Sequence, residues 1–345
     1  MTSNKTIGII GGGQLGQMLA ASAVESGHRV IVLDPTPDCP ASLVAEQIVA
    51  PYDDAEAVAE LSRRSDVVTY EFENVSAETL GEVPNAPQGT LALETCQDRL
   101  AEKSFLEDTG IPIAPYREVT DLDAAVQDLG YPCVVKTTRG GYDGKGQVVL
   151  RGPEDLEAGR RLVAKAPCVL EQWVPFEREI SVIVARNPQG EVVTFPPAEN
   201  EHKNNILHRS IVPARISAAT KNQAEMLAKR IAGAIELVGV MGVEMFVAPS
   251  GELYVNELAP RPHNSGHYTI EACDFSQFDL HIRAVTGGAL PEPKLLSPAV
   301  MTNILGQDLA DLEPAPDWHL HLYGKAEAKT DRKMGHVTRL ESFHD

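Results

Sequence analysis

Two glutamates in the stretch "GVEMFVAPSGELYVNELAPRPHNSGH" carry the first chemical suggestion. If Ser250-Gly251 closes a two-residue hairpin, Pro249 lies opposite Glu252 and Phe246 opposite Val255. Counting outward, Glu244 then faces Glu257 on the same side of the ribbon. Carboxylates directly across an antiparallel pair repel unless a cation lies between them. Mg²⁺ suits that place, because it takes one or two carboxylates and completes its octahedron with phosphate oxygens and water. Pro249 leaves room for a bulge that would break this register, and two solvated surface acids are the plain alternative. Just downstream, Arg261, His263, Asn264, Ser265 and His267 gather donors suited to an oxyanion or a small polar substrate. Zinc is not indicated, since His263 and His267 sit in a non-helical segment without a third ligand at suitable spacing.

A second constellation is the loop "KTTRGGYDGKGQ", with Lys136 before it, Lys145 within it, and glycines at 140, 141, 144 and 146. It is not G-x-x-x-x-G-K-[ST], which would need Gly at Arg139 and Ser or Thr at Gly146. A glycine hairpin can still fold over polyphosphate with its backbone N–H groups while lysines supply charge. An ordinary surface hairpin is the alternative. A third motif, "IGIIGGGQLG" with Gly11, Gly13 and Gly16, is followed by "RVIVLD" ending on Asp34. This spacing fits a dinucleotide fingerprint and hydride chemistry. Any tight strand-to-helix turn that approaches another backbone also wants glycines.

The elements that must carry these residues follow from pattern. Residues 1–95 alternate strand and helix, which predicts a parallel sheet with helices on both faces and ligands at the carboxyl ends of its strands. Gly11–Gly13, Asp34 and "YEFEN" fall at those ends. A helix is expected from Gln97 to Thr109, then strands "PCVVKTT", "VVL", "CVLEQWV", "REISVIVAR" and "EVVTF", and a long helix over Lys221–Leu237. "VEMFVA" and "ELYVNEL" form the hairpin, and "VMTNIL", "HLHLYGK" and "GHVTRL" a small tail.

The chain has 345 residues, enough for two or three domains. Its 49 acidic against 30 basic side chains give a net charge of −19, which repels a polyanion and argues against nucleic acid. Five scattered cysteines without a C-x-x-C pair read as reduced thiols of a cytoplasmic protein. The N-terminus enters a strand with no signal peptide, and no apolar run is long enough to span a membrane.

The motifs "GGGQLGQML", "YEFENV", "GGYDGKGQ", "EQWVPFEREISVIVAR", "ENEHKNNILHRSIVPA", "NELAPRPHNSGHYTIEAC" and "RKMGHV" occur in that order. Together they resemble the ATP-grasp superfamily, and within it the ATP-dependent carboxylases of purine biosynthesis. The likeness runs through nearly the whole chain, with one departure: Thr330-Asp331 stands where a Pro-Gly turn is expected. The resemblance implies an α/β and α+β fold with a doubly wound, Rossmann-like N-terminal domain (1–100), an ATP-grasp domain (101–288) and a small C-terminal domain (289–345). It implies a homodimer that uses ATP and Mg²⁺ to carboxylate 5-aminoimidazole ribonucleotide with bicarbonate through carboxyphosphate.

Carried over residue by residue, the resemblance implies that Arg99, Lys136, His202 and Asn256 reach ATP. Glu171, Gln172, Trp173 and Val174 lie along the adenine, with Glu179 on the ribose. Gly141, Tyr142, Asp143, Gly144, Lys145, Gly146 and Gln147 cover the phosphates, and Glu244 and Glu257 hold the metal. Gln14, Leu15, Glu71, Asn74, His267, Arg332 and Lys333 are implied for the ribonucleotide. Arg261, His263, Asn264, Tyr142 and Lys325 are implied at the reacting groups. Competing readings are a formate-using phosphoribosylglycinamide transformylase, an NAD-dependent oxidoreductase and an inactive nucleotide-binding protein.

Overall fold

Adjacent residues of one buried strand serve opposite faces of the N-terminal sheet. In the computed structural model, which describes residues 4–141 and 144–343, Ile7 and Ile9 of β1 (Thr6–Ile10) pack under α1 (Gln14–Glu25). Ile10 packs on the other side with Val58 and Leu61 of α2 (Ala55–Arg64). With β2 (Arg29–Leu33), β3 (Glu46–Ile48) and β4 (Val67–Tyr70), the sheet order is β3-β2-β1-β4, with every pairing parallel. This is the doubly wound arrangement that the alternating pattern predicts.

After α3 (Ala77–Gly81), a short helix precedes the one expected over 97–109, which is present. α4 (Leu91–Cys96) ends at Gln97, whose side-chain amide donates to the carbonyls of Glu73 and Val75, 2.7 Å each. Asp98 then caps α5 (Arg99–Asp108) by accepting from Leu100 N–H at 3.0 Å and Ala101 N–H at 3.3 Å. That cap sets where Arg99 enters the site.

A second sheet holds β5 (Tyr116–Glu118), β6 (Cys133–Thr137), β7 (Gln147–Leu150) and β8 (Cys168–Gln172) in the order β5-β8-β6-β7. Helices α6 (Leu122–Leu129) and α7 (Leu156–Val163) back it over a core of Leu122, Val126, Val135, Leu150 and Leu170. The loop between β6 and β7 is the glycine-rich one.

The third sheet is the largest and contains the remaining described strands. They are β9 (Arg178–Arg186), β10 (Val192–Thr194), β11 (Ala198–Lys203), β12 (Ile206–Val212), β13 (Gly239–Val247), β14 (Leu253–Ala259), β15 (Ala299–Leu305), β16 (Trp318–Leu322) and β17 (Lys333–Leu340). Their order is β14-β13-β9-β11-β12-β15-β17-β16, with β10 on β9. The amphipathic helix α8 (Ala218–Ala234) buries Leu227, Ala228 and Ile231 against β9 and β13. The tail strands therefore make no separate sheet: β15 pairs with β12 and continues the central one. Beyond the short α9 (Thr269–Ala272), α10 (Gln277–Val285) sends Phe278 and Ile282 into the core under α1, which ties this part to the N-terminal sheet.

β11 and β12 are strands that the apolar pattern does not announce, because β11 is largely polar and His208, Arg209 and Ser210 interrupt the apolar residues of β12. Their signal is the turn. Asn204 (φ 51°) and Asn205 (φ 63°) both take the left-handed conformation of a type I′ hairpin, and Lys203 pairs with Ile206.

Candidate functional site

Glu244 does face Glu257, though by a different route from the simple count. The turn has three residues, since Ala248 N–H donates to Glu252 O at 2.9 Å, so Phe246 pairs with Tyr254 rather than Val255. A bulge at Asn256 then adds one residue to β14 and restores the 244–257 pairing. The bulge also sets Asn256 beside Glu257 as a cleft residue: Asn256 Oδ1 lies 3.4 Å from Lys136 Nζ, and Glu257 pairs with Arg99 at 3.2 Å. Glu244 accepts from His263 Nε2 at 3.2 Å. Burial would raise the Glu244 pKa, but His263, His202 and Lys333 hold it below the usual carboxylate range, so Glu244 is an anion.

The cations come from the facing elements. Lys136 on β6 lies 3.1 Å from Glu171 Oε2 on β8. Burial pushes the Lys136 ammonium below its ordinary pKa, with Arg99 and Lys103 adding to the fall and Glu171 opposing it. Burial would raise Glu171, but Lys136, Lys103 and Arg99 hold it down to about 2. Its neighbours Gln172 and Trp173 are exposed, and Val174 is buried. His202 on β11 and Glu179 on β9 approach to 2.9 Å, and this pairing outweighs burial and raises the imidazole pKa. Of the glycine loop, Tyr142 and Asp143 lie outside the described residues. Gly144 packs so close to Asn205 that a Cβ there would fall 2.5 Å from it, which joins the loop to the β11–β12 turn. Gly141 and Gly146 approach each other across the loop, Lys145 is exposed and Gln147 begins β7.

Arg261 forms a two-pronged ion pair with Glu73, and one of its contacts, Nη2 to Oε1, is 3.0 Å. Glu73 was not anticipated as a site residue; its position in "YEFEN" is the available signal. Asn264 donates to Asn303 Oδ1 of β15 at 3.0 Å. Gln277, fully buried, accepts from His263 N–H at 2.9 Å and donates to His263 O at 2.8 Å and His267 Nδ1 at 3.1 Å. It clamps both ends of the 263–267 segment. His267 is itself only 1% exposed and packs between Phe278 and His336.

At the N-terminal turn the structure decides between the two readings of the glycine motif. Gly13 N–H donates to Glu71 Oε1 at 2.9 Å, Gly16 N–H to Glu71 Oε2, and Gly12 N–H to Asp34 Oδ2 at 2.9 Å. The donors that would cradle a pyrophosphate are spent on the chain's own carboxylates. Gly16 also sits where a Cβ would meet Gly11 O at 2.3 Å, so close backbone packing explains the motif. Gln14 and Leu15 are half-buried at the start of α1, and Asn74 is exposed beside Glu73.

Burial pushes the Glu71 carboxyl up to about 7, although its two N–H donors pull it down. Its folded-state pKa is therefore above its unfolded value, so the stability it contributes is full below about pH 4.5 and lost as pH rises through 7. Melting temperature is expected to fall between pH 5 and 8, and Glu71→Gln, which cannot ionise, should flatten that slope. Parallel slopes for the two proteins would refute the assignment.

The C-terminal loop 323–333 brings more cations. Lys325 Nζ donates to Lys333 O at 2.8 Å and lies 5.5 Å from the Tyr323 ring centroid. Burial, then Arg332 and Lys333, lowers its pKa to about 8. Asp331 (φ 64°) takes the left-handed place that a glycine would fill, and Gln307 secures it by accepting its N–H at 2.8 Å. Gln307 is a second residue the sequence did not single out. Lys329 turns outward to Glu327, 2.8 Å away.

Among the described residues no group of three or more His, Cys, Asp or Glu is disposed to hold an ion, and no helix is long and apolar enough to cross a membrane.

Three family models match the chain. They are the ribonucleotide synthetase preATP-grasp domain over residues 4–90, the ATP-grasp domain over 104–278, and the phosphoribosylaminoimidazole carboxylase C-terminal domain over 299–345. N5-carboxyaminoimidazole ribonucleotide synthase of Staphylococcus aureus strain COL is 50% identical over 97% of this chain and 92% of its own length. An N5-carboxyaminoimidazole ribonucleotide synthetase solved as its ADP complex shares 52% identity and superposes with a TM-score of 0.96, covering 99% of this chain and 93% of the other. The Aspergillus clavatus N5-carboxyaminoimidazole synthase, solved with ADP and 5-aminoimidazole ribonucleotide, gives 32% identity and a TM-score of 0.91 over 99% and 95% of the two chains.

Proposed function

The chain belongs to the N5-carboxyaminoimidazole ribonucleotide synthase family of ATP-grasp enzymes, and from that premise we propose that it carboxylates the amino group of 5-aminoimidazole ribonucleotide, consuming ATP and bicarbonate. The observation that carries this reading is the cross-strand Glu244–Glu257 pair with Lys136 and Arg99 on the facing elements. Such a set supplies oxygens for a divalent cation and positive charge for a polyphosphate in one cleft. The residues fit Mg²⁺: two side-by-side carboxylates, hard oxygen donors, with no thiolate among them. Bound there, Mg²⁺ would offset phosphate charge.

The chain's own residues do the rest. Lys136 and Arg99 bind the phosphates, and His202 with Glu179 meets the ribose. Residues 171–174 line the base, and Gly141, Gly144, Lys145, Gly146 and Gln147 cover the phosphates. Asn256 steadies the Lys136 ammonium. Bicarbonate is a poor electrophile, so ATP activates it as carboxyphosphate, and the charge of the transferred phosphoryl group falls to Lys136 and Arg261. His263 and Asn264, held by Gln277 and Asn303, position the reacting groups. Glu71, Gln14, Leu15, Asn74, Lys325, Arg332 and Lys333 receive the ribonucleotide. We keep three units, 1–100, 101–288 and 289–345, the last sharing its sheet with the second. Free cysteines support a cytoplasmic site, and a homodimer remains what the motif resemblance implies.

The test is ADP release with bicarbonate, with and without aminoimidazole ribonucleotide. Stimulation by both supports the reading. Turnover with formate in place of bicarbonate would favour the transformylase, and no ADP release under any condition would favour an inactive binding protein.

A further inference from the structure

Lys103 has no role in the site as assembled above, yet its side chain is 1% exposed. Among the described residues only Lys103 and Lys136 are buried lysines. A buried ammonium is costly unless it is paired, so its place needs a reason.

The reason lies in the spacing on α5. Arg99, Glu102 and Lys103 stand at i, i+3 and i+4, on one face of the helix. Arg99 pairs with Glu257 of β14, and Glu102 accepts the N–H of Leu258 on the same strand at 3.0 Å. Lys103 reaches the other sheet, 3.1 Å from Glu171 Oε2. Lys136 lies 3.1 Å from that same oxygen. One carboxylate thus stands between two ammoniums: Lys136 donates a hydrogen bond to it, Lys103 holds it as an ion pair without one, and Glu171 Oε1 has no hydrogen-bond partner.

The charge balance decides what this does. Glu171 with Lys136 alone would be a closed neutral pair, its ammonium satisfied from within. Adding Lys103 leaves the triad with one net positive charge, and Lys136 is the member that also touches the cleft through Asn256. We propose that Lys103 is a positioning residue for the nucleotide: by sharing the Glu171 carboxylate it keeps the Lys136 ammonium available to the phosphates. This rests on the nucleotide reading of the cleft.

The test is calorimetric titration of the full-length chain with ADP and Mg²⁺. Wild type that binds no ADP would overturn the nucleotide reading itself, whatever the variants do. Given binding, Lys103→Met is expected to weaken ADP roughly tenfold or more, the usual scale for a charged hydrogen bond. The KM for ATP should rise with it, and the KM for the ribonucleotide should not. The cycle is closed with Glu171→Gln alone and in combination, so any loss that Glu171→Gln itself causes along the base is common to both arms. With residue 171 neutral there is no carboxylate to share, so Lys103→Met made in the Glu171→Gln background should change ADP affinity by less than about threefold, a non-additivity expected of coupled charges. A purely structural Lys103 predicts the same loss in both backgrounds. The proposal is overturned if Lys103→Met alone binds ADP as wild type does, or if it costs about threefold or more in the Glu171→Gln background. Should Lys103→Met alone fail to fold, Glu171→Gln with and without Lys103→Met decides by that same line.

Discussion

Glu257→Gln is expected to lower kcat/KM by more than about a hundredfold, beyond the ten- to hundredfold typical of losing a residue that only orients a metal ligand. Its melting curve should stay close to that of the parent. The two halves of this expectation rest on different neighbours. Glu257 is more than a third exposed, so the amide costs little burial, and Arg99 keeps Glu102 and Glu171 as charge partners. Glu102, fully enclosed on α5, is pushed up to about 8 by burial and by Glu257 itself. Removing the Glu257 charge therefore takes away one of the two influences that keep Glu102 protonated and adds no strain to the fold. What is lost is one of two anionic oxygen donors in the proposed Mg²⁺ place, and Glu244 cannot replace it. Glu244→Gln should fall similarly, with some added loss of order because the acceptor of His263 loses its charge. Turnover measured across a Mg²⁺ titration decides the matter. Near-parental rates at limiting Mg²⁺ in either variant would refute the metal assignment.

The 244–257 pairing also shows what the sequence can and cannot yield. Strand type and partner were legible, because "VEMFVA" and "ELYVNEL" flank a Pro-Ser-Gly turn. The register was reached through two compensating departures: a longer turn, which Pro249-Ser250-Gly251 marks, and a bulge at Asn256, which leaves no local sequence mark. The doubly wound N-terminal sheet was legible for a sturdier reason, since its strand-and-helix pattern runs over six elements. Whether the glycine turn takes a ligand was not, because that depends on Glu71, 55 residues beyond Gly16 in the chain, turning back to accept its N–H. Long-range satisfaction of this kind recurs at Gln277, Asn303 and Gln307. Each is a polar side chain in a segment with ordinary periodicity, and each is identified only by the backbone or side chain that it meets. The strands β11 and β12 show little apolar alternation because polar residues such as Glu199, Asn200 and Ser210 occupy buried places in them; the Asn-Asn turn is the readable part.

Arg332→Ala and Lys333→Ala should raise the KM for aminoimidazole ribonucleotide far more than the KM for ATP. In a chain of net charge −19, the cations near this cleft must be concentrated to hold a phosphate ester. The C-terminal loop concentrates them: Lys325, Arg332 and Lys333 lie close enough that the last two help to depress the Lys325 pKa. Lys333 also acts on Glu244 and His202, which places it toward the nucleotide strands, while Lys329 is taken up by Glu327. Mutual repulsion among three cations is a cost that a dianionic ligand would remove, with Arg suited to bidentate contacts and Lys to a point charge. The loop is held for this purpose from outside itself. Gly306 N–H donates to Arg332 O at 2.9 Å, and Gln307 fixes Asp331. Loss of one charge-assisted contact is worth about 1.5–3 kcal/mol, or roughly ten- to a hundredfold in KM. Gln307→Ala, which removes no charge, should give a smaller rise with the same selectivity for the ribonucleotide. If Arg332→Ala and Lys333→Ala weaken both substrates equally, or neither, the phosphate is bound elsewhere and the loop serves only to close the sheet at β17.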